Sequence, residues 1–166
     1  TNKPFIKYIS SFGKPIILST GASHLYEIHE ALSWIKEKNN PTALLHCILN
    51  YPTADKNANL GMIKGLKESF PNNIIGYSDH TLPKDLETLK AATLLGSMII
   101  EKHFTHNKNL PGNDHYHAMD VNDLKKFLKI LDDLETLIGT FDVQASENEI
   151  PAIKNARRSL VASMDI

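Results

Sequence analysis

A regular alternation of apolar runs and helical patterns constrains the fold of this chain more than any other feature. Four short apolar runs begin roughly 25–30 residues apart, and a segment with helically spaced apolar residues follows each one. The runs have the pattern of parallel strands covered on both faces; they are Pro15–Thr20, Ala43–Leu49, Asn73–Ser78 and Ser97–Phe104. The helical segments are Pro4–Phe12, before the first run, and then Ser23–Lys38, Leu60–Phe70, Asp85–Leu95 and Asp123–Ile138. Gly96 and Gly139 stand where helix C-caps belong, and Asn122 is the expected N-cap of the last helix.

Alternating units of this size predict an α/β fold with a parallel sheet and right-handed crossovers. Two architectures are compatible with the residues: a doubly wound open sheet and a TIM-type (β/α)₈ barrel. No strand is followed by a Gly-x-Gly-x-x-Gly or P-loop pattern, which disfavours the nucleotide-binding version of the open sheet. A complete barrel needs about 250 residues. This chain has 166 residues, so its four units would form half of one.

Composition argues against several classes of function. The chain has 18 Lys and Arg against 19 Asp and Glu, a net charge of −1, which excludes nucleic-acid binding by bulk positive charge. No apolar run approaches the roughly 18 residues that span a bilayer, and Thr1–Ser10 do not have the pattern of a signal peptide. Cys47 is the single cysteine, so no intrachain disulfide can form and a reducing cytoplasm is the expected location.

Polar and ionisable residues gather at the carboxyl ends of the predicted strands, the edge where parallel α/β folds bind ligands. Because side chains alternate along a strand, Ser78 and His80 share one face of the third strand. Glu101 and His103 share one face of the fourth strand for the same reason. If both faces point into the barrel mouth, the two imidazoles stand on adjacent strands at similar depth. Such a pair can bind a borderline divalent cation and leave open positions for substrate and water.

Two further interpretations concern the second strand and the loop after the fourth. His46 and Asn50 are expected to share the face toward the barrel mouth, with Cys47 on the opposite face, toward the helices. Cys47 is therefore interpreted as a small buried hydrophobe and not as a nucleophile. His115 and His117 have a spacing that allows metal binding, but a solvated loop is the preferred interpretation.

Five blocks of sequence carry a resemblance to a known family. They are Gly13–Gly21, Asn50–Thr53, Ser78–Thr81, Glu101–Thr105 and Leu110–His115. Together, and with their spacing, they resemble the sialic acid synthase family (N-acetylneuraminate synthase and its relatives), and the resemblance extends essentially over the whole chain. It implies a (β/α)₈ barrel followed by a small antifreeze-like (SAF) domain, assembled in the complete enzyme as a domain-swapped homodimer.

The resemblance also implies a reaction and a cofactor. Family members are transferases that condense phosphoenolpyruvate (PEP) with an acylated amino sugar such as N-acetylmannosamine. The products are a nine-carbon 2-keto sugar acid (a nonulosonic acid) and phosphate. The family uses a divalent metal, typically Mn²⁺ or Mg²⁺, which suits Lewis-acid activation of the open-chain sugar aldehyde. The expected partners are therefore PEP and an acylamino sugar, with no nucleic acid and no membrane.

Residue roles follow from the resemblance position by position. His80 and His103 correspond to the catalytic metal ligands, and Glu101 is expected to orient its neighbours. The remaining site residues correspond to substrate contacts: Ser19, Asn50 and Ser78 for PEP, and Tyr51 and Asp114 for the sugar hydroxyls. Hydroxyl and amide donors suit the PEP carboxylate and phosphate.

The expected domain organisation covers only part of such an enzyme. Residues 1–139 are assigned to the last four βα units, the C-terminal half of the barrel. Residues 140–166 are assigned to a linker that leads to an SAF domain, with a short strand-like run at Leu160–Ala162. The family's PEP-binding lysines come from strands upstream of Thr1, so the isolated chain is expected to be inactive or nearly so.

A second hypothesis treats the chain as a non-catalytic or split half-barrel. Its edge strands, Pro15–Thr20 and Ser97–Phe104, would then pair with a second half, because unpaired strand edges readily accept another strand. The acceptor sugar also stays open. The loop reads Gly112–Asn113–Asp114–His115 where Gly-Pro-Asp-His is common in the family.

Overall fold

The four predicted strands form one parallel sheet in a computed structural model of the chain. The structure describes residues 2–158, 161, 163 and 164. The strands pair in the order in which they follow along the chain: β1 (Ile16–Ser19), β2 (Thr42–Cys47), β3 (Ile74–Asp79) and β4 (Ile100–Lys102). A doubly wound sheet reverses its strand order at a switch point, whereas neighbouring strands of a barrel follow one another without reversal. The observed order is that of a barrel segment.

Helices precede the sheet and connect its strands, close to the predicted positions. They are α1 (Lys3–Ser10), α2 (Leu25–Lys36), α3 (Gly61–Ser69), α4 (Glu87–Leu94) and α5 (Val121–Ile138). Gly96 and Gly139 have φ values of +99° and +61°, as their predicted positions after helices require. The prediction that Asn122 caps α5 is wrong. The Asp120 carboxylate accepts hydrogen bonds from the backbone N–H groups of Asn122 (2.8 Å) and Asp123 (3.0 Å), so Asp120 is the capping residue.

The chain divides into two compact units, Thr1–Asp133 and Leu134–Ile166. The second unit contains the end of α5, a 3₁₀ turn at Glu147–Glu149 and a short helix, α6 (Ile150–Asn155). The segment predicted to be a linker therefore includes some helical structure. Of the strand-like run Leu160–Ala162, only Val161 is described, and it lies in no strand; its neighbours fall outside the described residues. Within the described part of the chain, no helix combines the length and the apolarity needed to cross a bilayer.

The hydrophobic core of the first unit lies between the sheet and its helices. Its buried members include Ile28, Leu44, Ile63, Leu66, Phe70, Ile75, Tyr77, Leu89 and Phe127. Because side chains alternate, the intervening positions of β2 and β3 belong to the other face of the sheet. That face is closely packed at Gly76, where a Cβ atom would lie 2.5 Å from the Ile99 carbonyl oxygen. Only glycine fits there, and its lack of a side chain lets β3 lie directly against the backbone of Ile99, which leads into β4.

His46 lies on the helix side of β2, so the prediction that it faces the barrel mouth is wrong. Its ring stacks on Tyr77 at a centroid distance of 5.5 Å, and its Nε2 donates a hydrogen bond to the Ala58 carbonyl at 2.7 Å. The side chain is completely buried. Both faces of β2 are buried, so apolar patterning did not reveal which of them faces the helices.

The buried His46 ring should make the fold sensitive to acid. Burial lowers the pKa of His46 below its ordinary value of 6.5, although the hydrogen bond to Ala58 opposes this. The unfolded chain therefore binds more protons than the folded chain once the pH falls below about 6.5, and the free energy of unfolding decreases there. Urea unfolding between about pH 7.5 and 5 should show the loss. The variant His46→Phe should reduce this pH-dependent loss of stability. The variant His24→Gln, which changes an exposed histidine, should not. Equal pH dependence in wild type and His46→Phe would contradict this assignment.

Candidate active site

A pocket at the carboxyl ends of the strands collects most of the predicted site residues. Its volume is about 270 Å³, near the lower limit for small-molecule sites. Each strand contributes from its last residues or from the segment that follows: Ser19 and Gly21; Cys47, Leu49 and Tyr51; Ser78 and His80; Glu101 and His103. One pocket therefore brings together side chains that are separated by more than eighty positions in the sequence.

Strand register explains how these side chains line up. Cys47 pairs with Ser78, and Ser78 pairs with Glu101, so the three form one row across the sheet. The Ser78 hydroxyl donates a 2.6 Å hydrogen bond to the Glu101 carboxylate, which links β3 to β4 at this level. His80 and His103 follow two residues later on the same face and form a second row. Their ring centroids are 5.3 Å apart.

The orientation of His80 leaves one ring nitrogen available to a ligand. Its Nδ1 donates a hydrogen bond to the Ile48 carbonyl oxygen at 2.8 Å, so Nε2 of the neutral ring carries a free lone pair. A backbone carbonyl on the far nitrogen is the usual way in which a protein orients a metal-binding histidine. The Tyr51 ring packs against His80 at a centroid distance of 4.1 Å and limits the ring's rotation from the other side.

Asp79 and Lys102, which directly precede His80 and His103, face the opposite side of the sheet and hold the strand ends together. Asp79 pairs with Lys102 at 2.6 Å, and both side chains are almost completely buried. The same carboxylate accepts hydrogen bonds from the Tyr77 hydroxyl (2.8 Å) and the Thr81 backbone N–H (2.9 Å). Burial, and then the charge of Asp79, raises the pKa of Tyr77, which therefore stays protonated and donates. The Ser-Asp-His-Thr and Glu-Lys-His-Phe-Thr motifs thus alternate pocket residues with this buried network.

Cys47 is buried, as predicted, but on the pocket side of β2. Gly21 makes this possible, because a Cβ atom there would lie 3.0 Å from the Cys47 sulfur. Burial raises the pKa of the Cys47 thiol, and the negative charge of Glu101 acts in the same direction. The thiol is therefore protonated at neutral pH and is a poor nucleophile. The prediction that Cys47 points toward the helices is therefore wrong. The reason is the one given for His46: both faces of β2 are buried, so apolar patterning does not distinguish them.

His117 was named from the sequence as a possible metal ligand, but its burial was not predicted. The preferred interpretation as part of a solvated loop is wrong for this residue, because only 1% of its surface is exposed. Its ring lies 5.1 Å from that of His103, and its Nε2 lies 3.7 Å from the Asp114 carboxylate. Burial, and then the neighbouring His103 ring, lowers the pKa of His117. His115 instead hydrogen-bonds the Thr105 hydroxyl at 2.8 Å. The apolar Ala118–Met119 pair directly after His117 was the available signal that this part of the loop is buried.

The other predicted substrate contacts differ in whether they line the pocket. Tyr51 lines the pocket, and the peptide bond that joins it to Pro52 is cis. Asp114 is largely exposed, and its carboxylate lies 3.8 Å from Nδ1 of His103. Asn50 is exposed at the end of β2, and it is not among the residues that line the pocket.

The side chains at the pocket mouth fit a divalent cation. His103, Asp114 and His117 each offer one ligand atom, and these atoms all lie within 4.8 Å of one another. His80 is not a member of this group of three, although its ring centroid lies 5.3 Å from that of His103. Imidazole nitrogen combined with a carboxylate oxygen is a donor set that several first-row divalent metals accept.

Comparison with known proteins agrees with the motifs. The sequence profile of the NeuB family matches residues 1–142. The N,N'-diacetyllegionaminic acid synthase of Campylobacter jejuni is 38% identical over 169 residues, which cover 100% of this chain and 50% of that protein. The enzyme of the same name from Legionella pneumophila is 36% identical over 171 residues, covering 100% of this chain and 47% of that protein. The chain thus spans about half the length of the curated relatives it matches.

A solved structure gives the same result for the fold. The crystal structure of an N-acetylneuraminic acid (sialic acid) synthetase from Leptospira borgpetersenii, in complex with citrate, matches with a TM-score of 0.82 and 32% identity. The match covers 92% of this chain and 53% of that one. The predicted α/β half-barrel of parallel βα units and the predicted family resemblance are both confirmed. On its sequence, its fold and the arrangement of its strand-end motifs, this chain belongs to the NeuB family.

Proposed function

We propose that this chain carries the metal-binding half of a nonulosonic acid synthase. In the proposed reaction, PEP condenses with N-acetylmannosamine or a related acylamino sugar. A carbon–carbon bond forms between the PEP methylene and the sugar aldehyde carbon, water adds at C2 of PEP, and phosphate leaves. The observation that carries the proposal is the convergence of Ser78, His80, Glu101 and His103 on one face at the carboxyl ends of β3 and β4. The names of the relatives support this class of reaction.

The histidines have the role of metal ligands in this proposal. A divalent ion (Mn²⁺ or Mg²⁺) at His80 and His103 would supply Lewis-acid polarisation of the sugar aldehyde. His80 is suited to that role because the Ile48 carbonyl holds its Nδ1 proton and directs the other nitrogen outward. The Tyr51 ring packs against His80 at a centroid distance of 4.1 Å and limits the rotation of the imidazole.

The remaining site residues are proposed to bind the substrates. Ser78 is held by Glu101, so its position on the strand is defined before substrate binds, and Ser19 faces the same pocket from β1. The Ser19 hydroxyl suits the PEP carboxylate or phosphate, and the Ser78 hydroxyl would donate to PEP by turning away from Glu101. Asn50 would join them by turning its exposed amide inward. Burial, and then the nearby Cys47 and Asp114, raises the pKa of Tyr51, so its phenol is a donor. Tyr51 and Asp114 would then bind the sugar hydroxyls.

The rest of the domain organisation is also a proposal. Residues 1–139 would form part of the barrel, and residues 140–166 would lead to an SAF domain in a homodimeric enzyme. The single cysteine is in keeping with a reaction in the reducing cytoplasm.

Phosphate release tests the proposed reaction. The protein expressed from its complete reading frame is mixed with Mn²⁺ and PEP, with N-acetylmannosamine or a diacetamido sugar as acceptor. Phosphate and a nine-carbon keto acid should form in equal amounts, and only when metal, PEP and an accepted sugar are all present. Release of phosphate without any sugar would indicate a PEP phosphatase and contradict the proposal. The same assay on residues 1–166 alone should give little or no turnover.

Assembly of the chain with a second half-barrel is the alternative, and the edges of the sheet favour it. β1 and β4 each have one neighbour, and Ile17 on β1 is 58% exposed although it is a large apolar residue. Unpaired edges and exposed apolar strand residues invite pairing with further strands. The reading frame upstream of Thr1 separates the two cases. Four more βα units in frame support one continuous enzyme, and a separately encoded half supports assembly.

A further inference from the structure

His117 is a buried histidine whose ring nitrogens make no hydrogen bond within the described part of the chain. A buried polar group without a hydrogen bond has lost its water and gained no partner, so native proteins rarely keep one without a reason. The Asp114 carboxylate lies 3.7 Å from Nε2, which is beyond hydrogen-bonding distance. An imidazole held in this way, beside another histidine and a carboxylate, has the donor atoms that a metal ligand needs.

The backbone holds His117 close to His103 and does not leave their distance to a flexible loop. The Met119 N–H donates to the His103 carbonyl, and the Thr105 N–H donates to the Met119 carbonyl, both at 2.8 Å. Phe104 and Met119 form a parallel bridge, so the segment after His117 pairs with the segment after His103. The side-chain bond between Thr105 and His115 ties the same two segments together again. The His103–His117 distance is therefore part of the fold.

The spacing of the three groups suits one ion. Ligand atoms at about 2.0–2.2 Å from a shared cation lie roughly 3–4 Å from one another. The candidate atoms of His103, Asp114 and His117 lie within 4.8 Å of one another. Asp114 is 69% exposed, so its side chain can rotate to close the remaining gap without disturbing the core. The ring centroids of His103 and His80 are 5.3 Å apart, so His103 lies between the other two imidazoles, although His80 is not among the three residues whose ligand atoms meet this spacing.

We propose that His117 is a third imidazole ligand of the divalent ion held by His80 and His103, with Asp114 as a carboxylate ligand. This inference deepens the proposed function and rests on it for the presence of an ion. Three imidazoles favour borderline metals such as Zn²⁺ and Co²⁺, whereas Mg²⁺ prefers oxygen ligands. The site should therefore bind Zn²⁺ and Co²⁺ well ahead of Mg²⁺, and His117 should strengthen that preference.

The test measures metal affinity directly. The protein expressed from its complete reading frame is stripped of metal and titrated with Co²⁺, Zn²⁺ and Mg²⁺, in competition with a chelator where binding is tight. His117→Phe keeps the size of the ring and removes its nitrogens. It should weaken Co²⁺ and Zn²⁺ binding by at least about 10–100-fold, the loss known for substitutions even outside the first ligand shell. His106→Phe is the control, since it changes an exposed histidine that lies outside the group of candidate ligands, and it should leave the affinities unchanged.

The outcomes separate this inference from the proposed function. Unchanged Co²⁺ and Zn²⁺ affinity in His117→Phe, together with loss of binding in His103→Ala, would overturn the third ligand and leave the proposed function standing. Unchanged affinity in His103→Ala would remove the metal role from the proposed function itself. X-ray absorption of the Zn²⁺-loaded wild-type protein needs no variant, so it decides the question even if His117→Phe does not fold. Three bound imidazoles are expected, and two would overturn the inference.

Discussion

Replacing His80 or His103 with alanine in the complete enzyme should lower kcat by at least about 10³-fold, because each change removes a proposed metal ligand and with it several kcal/mol of transition-state stabilisation. The two rings are 5.3 Å apart at the pocket mouth, and the His80 ring is oriented by the Ile48 carbonyl. Phosphate release at saturating PEP, acceptor sugar and Mn²⁺ measures the effect.

The control for both variants is His106→Ala. His106 is exposed, lies three residues beyond His103 and is not among the residues that line the pocket, so its replacement should leave kcat unchanged. Isothermal titration with Mn²⁺ adds a second measurement, in which the double variant His80→Ala/His103→Ala should show no high-affinity site. Metal-dependent turnover near the wild-type rate in either single variant would remove that histidine from the catalytic metal site.

Asp79→Ala should destabilise the fold by about 3–5 kcal/mol, because it leaves the buried Lys102 ammonium without a counter-charge. Lys102 and Asp79 are 4% and 1% exposed, and the carboxylate also accepts bonds from Tyr77 and Thr81. Lys102 additionally donates to the Thr81 carbonyl at 2.6 Å, so it depends on this network on both sides. Urea unfolding should show a lower midpoint with an unchanged m-value.

Two comparison variants isolate the effect of the buried charge. The double variant Asp79→Leu/Lys102→Met removes both charges and should recover much of the lost free energy, since apolar pairs often replace buried ion pairs at little cost. Lys90→Ala breaks an exposed pair with Glu87, whose closest atoms are 3.9 Å apart, and should change stability by no more than about 1 kcal/mol. A loss in Asp79→Ala as small as that of Lys90→Ala would contradict the importance given to the buried network.

The pocket residues of β3 and β4 could be placed on common faces from the sequence because of the two-residue period of a strand, and the metal-binding role of His80 and His103 stays a prediction. Ser78 and His80, and likewise Glu101 and His103, had to share a face whichever way β3 and β4 were turned. The same two-residue period did not predict the orientation of β2. His46 and Cys47 are both buried, so no apolar alternation indicated which of them faces the pocket. The predicted substrate roles of Ser19, Asn50, Tyr51, Ser78 and Asp114, and the division at residue 139, stay predictions.

The sequence by itself determined the βα units, their parallel arrangement and the polar strand ends, because these depend on local periodicity and on caps such as Gly96 and Gly139. Only the tertiary structure decided that Cys47 lines the pocket and that His117 reaches His103. Both outcomes depend on groups that are far apart along the chain: the space left by Gly21, and the hydrogen bonds that join Met119 to the strand end at His103. No local pattern encodes such contacts, because they form only when separate segments pack together.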